Sequence, residues 1–194
     1  MVQAQSVGLQ CECGSVAGRL EGLDPARADY VVCHCSDCQA FARTLDADAR
    51  ILDRANGTHL LQTRCATLKI DRGRDLLACL HLTEKPTLRW YASCCDTPMF
   101  NTYRNGRVPY ITTLLANCDP EEREALTRQC LGHLFLEDAG VSTADLAACS
   151  PAKLALRVVP RMIRDVVSGD RRRTALFDRQ TLEPIAQPQR LAKS

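Results

Sequence analysis

Along the first 118 residues the apolar positions fall in short β-prone runs, at 7–11, 15–20, 30–32, 58–62, 65–70, 76–82, 88–92 and 109–115. Turn formers separate them: Cys13-Gly14, Asn56-Gly57, Arg72-Gly73, Lys85-Pro86 and Asn105-Gly106. Strands at this spacing, with one helix expected at 37–45, predict a mainly β domain of antiparallel, packed sheets. The pattern then changes. Asp119-Pro120-Glu121-Glu122 is a capped helix start, and Gly132 is expected to close that helix. Ser142-Thr143-Ala144-Asp145 predicts a second, short helix to about residue 149. From residue 151 to 168 apolar residues recur at helical spacing, and Pro160 predicts a kink or two shorter helices. The chain therefore reads as a zinc-binding β domain over 1–118, a short helical extension over 119–150, and a basic amphipathic helix and tail over 151–194.

Composition adds little to that picture until charge is divided along the chain. Hydrophobic residues make up 45% and charged residues 25% of 194 positions, the balance of an ordinary globular protein. The net charge of +2 splits into −4 over 1–150 and +6 over 151–194. The acidic body is not built for nucleic acid; the basic tail could be. Lys153, Arg157, Arg161 and Arg164 form a cationic stripe, expected to be a face packed back onto that body. The last stretch, rich in Gln, Pro and Arg, is expected to be extended or disordered. Residues 1–6 show neither a basic nor an apolar signal segment, and no apolar run is long enough for a membrane span, so a cytoplasmic location is expected.

Twelve cysteines in a reducing compartment point to metal or thiol chemistry. Cys33, Cys35 and Cys38 stand at C-x-C-x-x-C directly after an apolar run, where a strand ending in a tight turn can aim three sulfurs at one tetrahedral ion. Cys11 and Cys13 sit at a predicted hairpin tip, and Cys94-Cys95 follow the strand at 88–92. Together these four predict a closed, structural zinc site, with one of the two adjacent thiols a possible bystander because successive side chains on extended backbone diverge. Cys65, Cys79, Cys118, Cys130 and Cys149 read as buried small hydrophobes. His59, His81 and His133 read as isolated, and His34 as a group near the metal but turned away from it.

Three thiolates on a dication leave about one negative charge, which blunts hydrolytic chemistry and suits capture of a further soft ligand. An incoming thiol held at the open position could attack a carbonyl carbon, the reaction of a carbon–sulfur lyase or synthase. The residues Gln10-Cys11-Glu12-Cys13-Gly14-Ser15-Val16, Cys33-His34-Cys35-Ser36-Asp37-Cys38 and the late cysteine cluster resemble the glutathione-dependent formaldehyde-activating enzyme and centromere protein V family over about residues 7–115. That resemblance implies a β-tent fold, a structural zinc on Cys11, Cys13 and the late cluster, and a catalytic zinc on Cys33, Cys35 and Cys38. There glutathione and formaldehyde would combine into S-hydroxymethylglutathione. Ala92-Ser93-Cys94-Cys95-Asp96 departs from the family's C-x-x-C-G, and Gln39 stands where a basic residue is frequent. Arg43, Arg89 and Arg104 are the candidate cations for the two carboxylates of glutathione. Two other readings compete: a non-catalytic zinc module contacting nucleic acid or a protein through its basic helix, and a thiol-based redox or metal-buffering protein.

Overall fold

The computed structural model describes residues 5–190. Two sheets carry the chain. The smaller joins β1 (Gln5–Gln10), β2 (Ala17–Leu23) and β5 (Leu68–Arg72) in the order β1-β2-β5. The larger has seven strands: β3 (Asp29–Cys33), β4 (Thr58–Arg64), β6 (Leu77–Leu80), β7 (Thr87–Ala92), β8 (Thr97–Tyr103), β9 (Tyr110–Leu114) and β10 (His133–Leu134). Their order is β10-β3-β4-β9-β8-β7-β6, antiparallel except for the β10–β3 pair. One apolar core lies between the sheets, with Val7, Leu9, Leu20 and Leu68 from the small sheet meeting Leu61, Leu88, Trp90, Phe100 and Ile111 from the large one. The expected mainly β architecture with added C-terminal helices is the one adopted.

β7 shows how the large sheet is covered on both sides. Leu88, Trp90 and Ala92 enter the core between the sheets. Side chains alternate along a strand, so Arg89 and Tyr91 face the other way. Tyr91 packs with Phe41 of α1 (Ser36–Thr44), and Arg89 lies under the same helix. A four-residue α2 (Asp48–Ile51) follows.

Several expectations need correction. β8 was not anticipated, because Pro98, Asn101 and Thr102 make it look like a loop. Pro98 is tolerated there beside the register shift between Trp90 and Tyr91, where a ladder donor is not required. The helix begun by Asp119 is α3 (Pro120–Thr127), and it stops before Gly132. The short helix expected at 142–149 does not form. Its backbone groups are taken by β10 instead: His133 N–H donates to Ala147 O (2.8 Å) and Cys149 N–H to His133 O (2.7 Å). α4 (Pro151–Ser168) runs unbroken through Pro160. The carbonyl that loses its donor belongs to Leu156, which is 78% exposed, so water can serve it.

Half of the cationic stripe packs inward, while Lys153 and Arg164 are exposed. Arg157 Nε and Arg161 Nη1 donate to the two oxygens of Asp29, at 2.5 and 2.6 Å, and Asp29 is fully buried at the start of β3. Asp165, also buried on α4, takes Arg64. The outward face of α4 carries Leu156, Val159, Ile163, Val166 and Val167. The described tail is largely extended and packs onto the body. Leu176, Phe177 and Leu182 are buried, and Phe177 meets Trp90 edge-on at 5.9 Å. Gln189 runs beside β6, donating to Cys79 O and accepting from His81 N–H, both at 2.9 Å. This covers an edge strand that would otherwise invite pairing. Residues 1–4 of the predicted leaderless start and 191–194 of the tail lie outside the described residues. Among the described residues no helix is long and apolar enough to cross a membrane.

Candidate metal centres

Cys11 and Cys13 occupy the β1–β2 turn, and Cys94 and Cys95 the β7–β8 turn, so the two pairs come from different sheets. Their sulfurs all lie within 4.8 Å of one another. Cys11–Cys13 is 3.6 Å, Cys11–Cys94 3.8 Å, Cys13–Cys94 3.3 Å and Cys94–Cys95 3.8 Å. Bonds of about 2.3 Å from a tetrahedral zinc place sulfurs about 3.8 Å apart, so four thiols here fit one ion. Both adjacent cysteines lie within this cluster. Residues 92–95 form a turn, closed by Cys95 N–H on Ala92 O at 3.3 Å, so the extended-strand divergence does not apply. Asp96 follows with φ +50°, in the left-handed region that a glycine would occupy at lower cost. Cys13 is exposed, and hydrogen bonds, chiefly from Ser15, lower its pKa to about 6; burial raises that of Cys94 to about 12.

The second cluster is built by the end of β3 and the start of α1. Cys35 is the residue before the helix, and its carbonyl accepts from Cys38 N–H (3.0 Å) and Gln39 N–H (3.2 Å). That turn brings Cys35 and Cys38 to 3.4 and 3.7 Å from Cys33. Among the described residues no fourth His, Cys, Asp or Glu joins the trio. Cys33 and Cys38 are buried, and Cys35 is partly open. Thr58 lies directly across the β3–β4 ladder from Cys33, hence on the same face. Its hydroxyl is buried with no protein partner among the described residues.

Arg89 supplies the charge complement. It is 6% exposed, and its Nη1 donates to Cys38 Sγ at 3.4 Å and to Asn101 Oδ1 at 2.9 Å. Asn101 Nδ2 donates in turn to Thr112 Oγ1 at 2.8 Å. The nearest carboxylate, Asp37, is 3.9 Å away and already holds Lys85 at 2.8 Å. Thiol donors from Cys33 and Cys35, with Arg89 beside them, hold Cys38 well below the ordinary thiol range, while Cys33 and Cys35 are pushed up. Of the three thiols, Cys38 is thus the one whose ionisation its surroundings favour.

His34 turns away from the sulfurs, as expected, but it is not alone. It is fully buried, with Nδ1 3.0 Å from Ala55 O and Nε2 2.9 Å from His133 Nδ1. His133 is thus a partner rather than an isolated histidine, and so is His59, which meets Tyr30 and Asp53. A Cβ at Gly57 would lie 2.8 Å from His34 Cε1 and 2.7 Å from Asp53 Oδ2, so only glycine lets this turn pass. Gln39 clamps backbone instead of binding a ligand: its Nε2 donates to His34 O (2.7 Å) and Asp138 O (2.9 Å), and Arg43 holds its Oε1 (3.1 Å). Arg104 is exposed in the turn after β8. Cys65, Cys79, Cys118 and Cys149 are buried as expected, whereas Cys130 is exposed. Sequence reading missed Thr58, Asn101, Thr112, His133 and Asp138. A lone charge between Leu88 and Trp90 was the available signal for Arg89.

Residues 3–187 match the sequence profile of a family of unknown function, DUF6151. The chain belongs to the DUF6151 family. No curated protein matches this family member. A crystal structure of a Rhodobacter sphaeroides protein resembles it at 19% identity and a TM-score of 0.42, over 60% of this chain and 94% of that one. Within this DUF6151 chain, then, the two sulfur clusters are what the chemistry must be argued from.

Proposed function

We propose that the protein is a zinc-dependent carbon–sulfur lyase or synthase acting on a thiol–aldehyde adduct. The observation carrying this reading is the asymmetry between the clusters: four converging thiols in one, three in the other with no fourth protein ligand among the described residues. A four-sulfur site is closed and serves folding, whereas a three-ligand site keeps a position for a guest. Cys33, Cys35 and Cys38 would hold the ion, which when bound favours loss of the proton from a fourth, incoming thiol. Addition is then atom-balanced. The thiol sulfur forms a bond to the carbonyl carbon, the C=O π pair moves to oxygen, and that oxygen takes a proton to give a hydroxyalkyl thioether; the reverse splits it.

The chain's own residues tune this. Three thiolates and a dication leave a net negative charge that Arg89 offsets, so the site is less electron-rich than its sulfurs alone imply. The Thr58 hydroxyl is a donor free to serve a guest beside Cys33. The motif resemblance to the formaldehyde-activating family supports the same class. Glutathione itself has weaker support, because Arg43 is engaged by Gln39 and Arg89 by Cys38 and Asn101. The basic helix gives a nucleic-acid module less support than its charge implies, since Arg157 and Arg161 hold Asp29 and exposed Leu156, Ile163 and Val167 share its surface with Lys153 and Arg164.

Cobalt substitution tests the proposal. One cobalt should show thiol-dependent charge-transfer absorbance and be lost in Cys35→Ser, and the other should respond to neither. With a responding thiol and formaldehyde, carbon NMR should show the adduct forming faster than without protein. Two cobalt spectra indifferent to every thiol would sink the reading.

A further inference from the structure

A cavity of about 330 Å³ lies between β3, β4, α2 and α3, with Ile51 and Leu115 among its apolar walls and Thr58, the residue across the ladder from Cys33, at one side. Tyr30, Arg50, His59 and Arg123 line it. Three of its polar groups form a chain. Asp53 Oδ1 accepts from the N–H groups of Ala55 (2.8 Å) and Gly57 (2.7 Å), which marks this carboxylate as an acceptor. Its Oδ2 stands 3.2 Å from His59 Nε2, so the imidazole proton belongs there. His59 Nδ1 is then the acceptor for Tyr30 O–H, at 2.6 Å. With its proton committed to His59, the Tyr30 oxygen offers the cavity an acceptor. Burial, which pushes the Tyr30 pKa up to about 12, keeps it in this protonated form.

The cations offer the opposite. Arg50 donates Nη1 to Asn117 Oδ1 at 2.8 Å, but its Nη2 is buried with no protein partner among the described residues. A buried guanidinium nitrogen without an acceptor is costly, and an oxyanion would relieve it. Arg123, held by Leu115 O, adds a second positive charge. Arg50, Arg123 and Asp53 give the lining a net charge of +1, and Arg50 Nε also faces Glu12 Oε2 at 3.7 Å, so the site matches a monoanion better than a phosphate dianion. We infer that this cavity binds a small hydroxycarboxylate, its carboxylate on Arg50 and Arg123 and its hydroxyl donating to Tyr30 Oη. No reaction is assigned to the site.

The test is calorimetry on the zinc-loaded full chain with lactate, propionate and inorganic phosphate. Lactate should bind saturably, and propionate, which lacks only the hydroxyl, about tenfold or more weakly, because a site built around a ligand hydroxyl discriminates against its loss. Arg50→Met and Tyr30→Phe should each weaken lactate by about tenfold while circular dichroism and zinc content stay unchanged. Should one variant misfold, the other and the lactate–propionate ratio still decide. Absence of saturable lactate binding, equal affinity for propionate, tighter binding of phosphate, or lactate binding untouched in the folded variants would each overturn the assignment. None of these readouts depends on the proposed carbon–sulfur chemistry.

Discussion

Arg89 and Cys38 form the pair on which the chemistry of the three-sulfur site turns. Replacing Arg89 by Met removes the buried cation and leaves Asn101 without its donor, so thiolate formation at Cys38 becomes harder. Metal affinity at that cluster should fall by about 10- to 100-fold, the usual effect of losing a group that orients and charges a ligand, read by competition with a chromophoric chelator. Thr58→Val should leave unfolding free energy unchanged or slightly raised, since the hydroxyl has no protein partner to lose, yet weaken the response of cobalt to added thiol. His133 gives a pH signature. Burial first, and then the neighbouring His34, hold its pKa below the ordinary 6.5. The unfolded chain therefore takes up a proton that the folded chain resists. The stability from this residue is present above about pH 6.5 and is lost as pH falls below it. Urea midpoints at pH 7.5 and 5.5 should show a steeper loss for the native chain than for His133→Gln. The sulfur ligands were legible in the sequence because their spacing is local. The partners of Arg89 and His34 were not, since Asn101 and His133 become neighbours only once strands β8 and β10 are placed.

At the scale of elements, α4 is held to β3 by charge as well as by Leu154 and Val158. Replacing both Arg157 and Arg161 with Met would leave the Asp29 carboxylate buried without a counterion. Such a loss costs about 3–5 kcal/mol, which urea unfolding would register, while Asp29→Asn in the double variant should recover much of it. The helix and its inward cationic face could be read from four-residue spacing. Its target could not, because Asp29 is 128 residues from Arg157 and carries no local mark. The failed helix at 142–149 teaches the converse. A good capping sequence there yields to β10, whose backbone needs the same donors and acceptors.

For the whole molecule, the four-thiol cluster is a rivet between two sheets, since each sheet contributes one turn. A metal there contributes directly to folding. Cys11→Ser should lower the melting temperature by roughly 10 °C, the shift expected for a loss of about 3–4 kcal/mol in a chain of this size. Cys35→Ser should move it far less, and differential scanning calorimetry separates the two. The class and eight of the ten strands were visible in the apolar runs and turn residues, β8 and β10 being the exceptions; the sheet order, in which β9 lies beside β4 rather than following β8 to an edge, depends on long-range pairing that no short pattern encodes.

Synthesis from the N-terminus gives the closing tail a further significance. All seven clustered cysteines have been made by residue 95, while Phe177 and Gln189, which seal Trp90 and β6, are made only after them. Both clusters could thus take up metal on a nascent chain whose hydrophobic interior is still open. Until that closing segment emerges, a metal at either cluster, or a chaperone, would be what keeps the uncovered sheet from sticking to its neighbours.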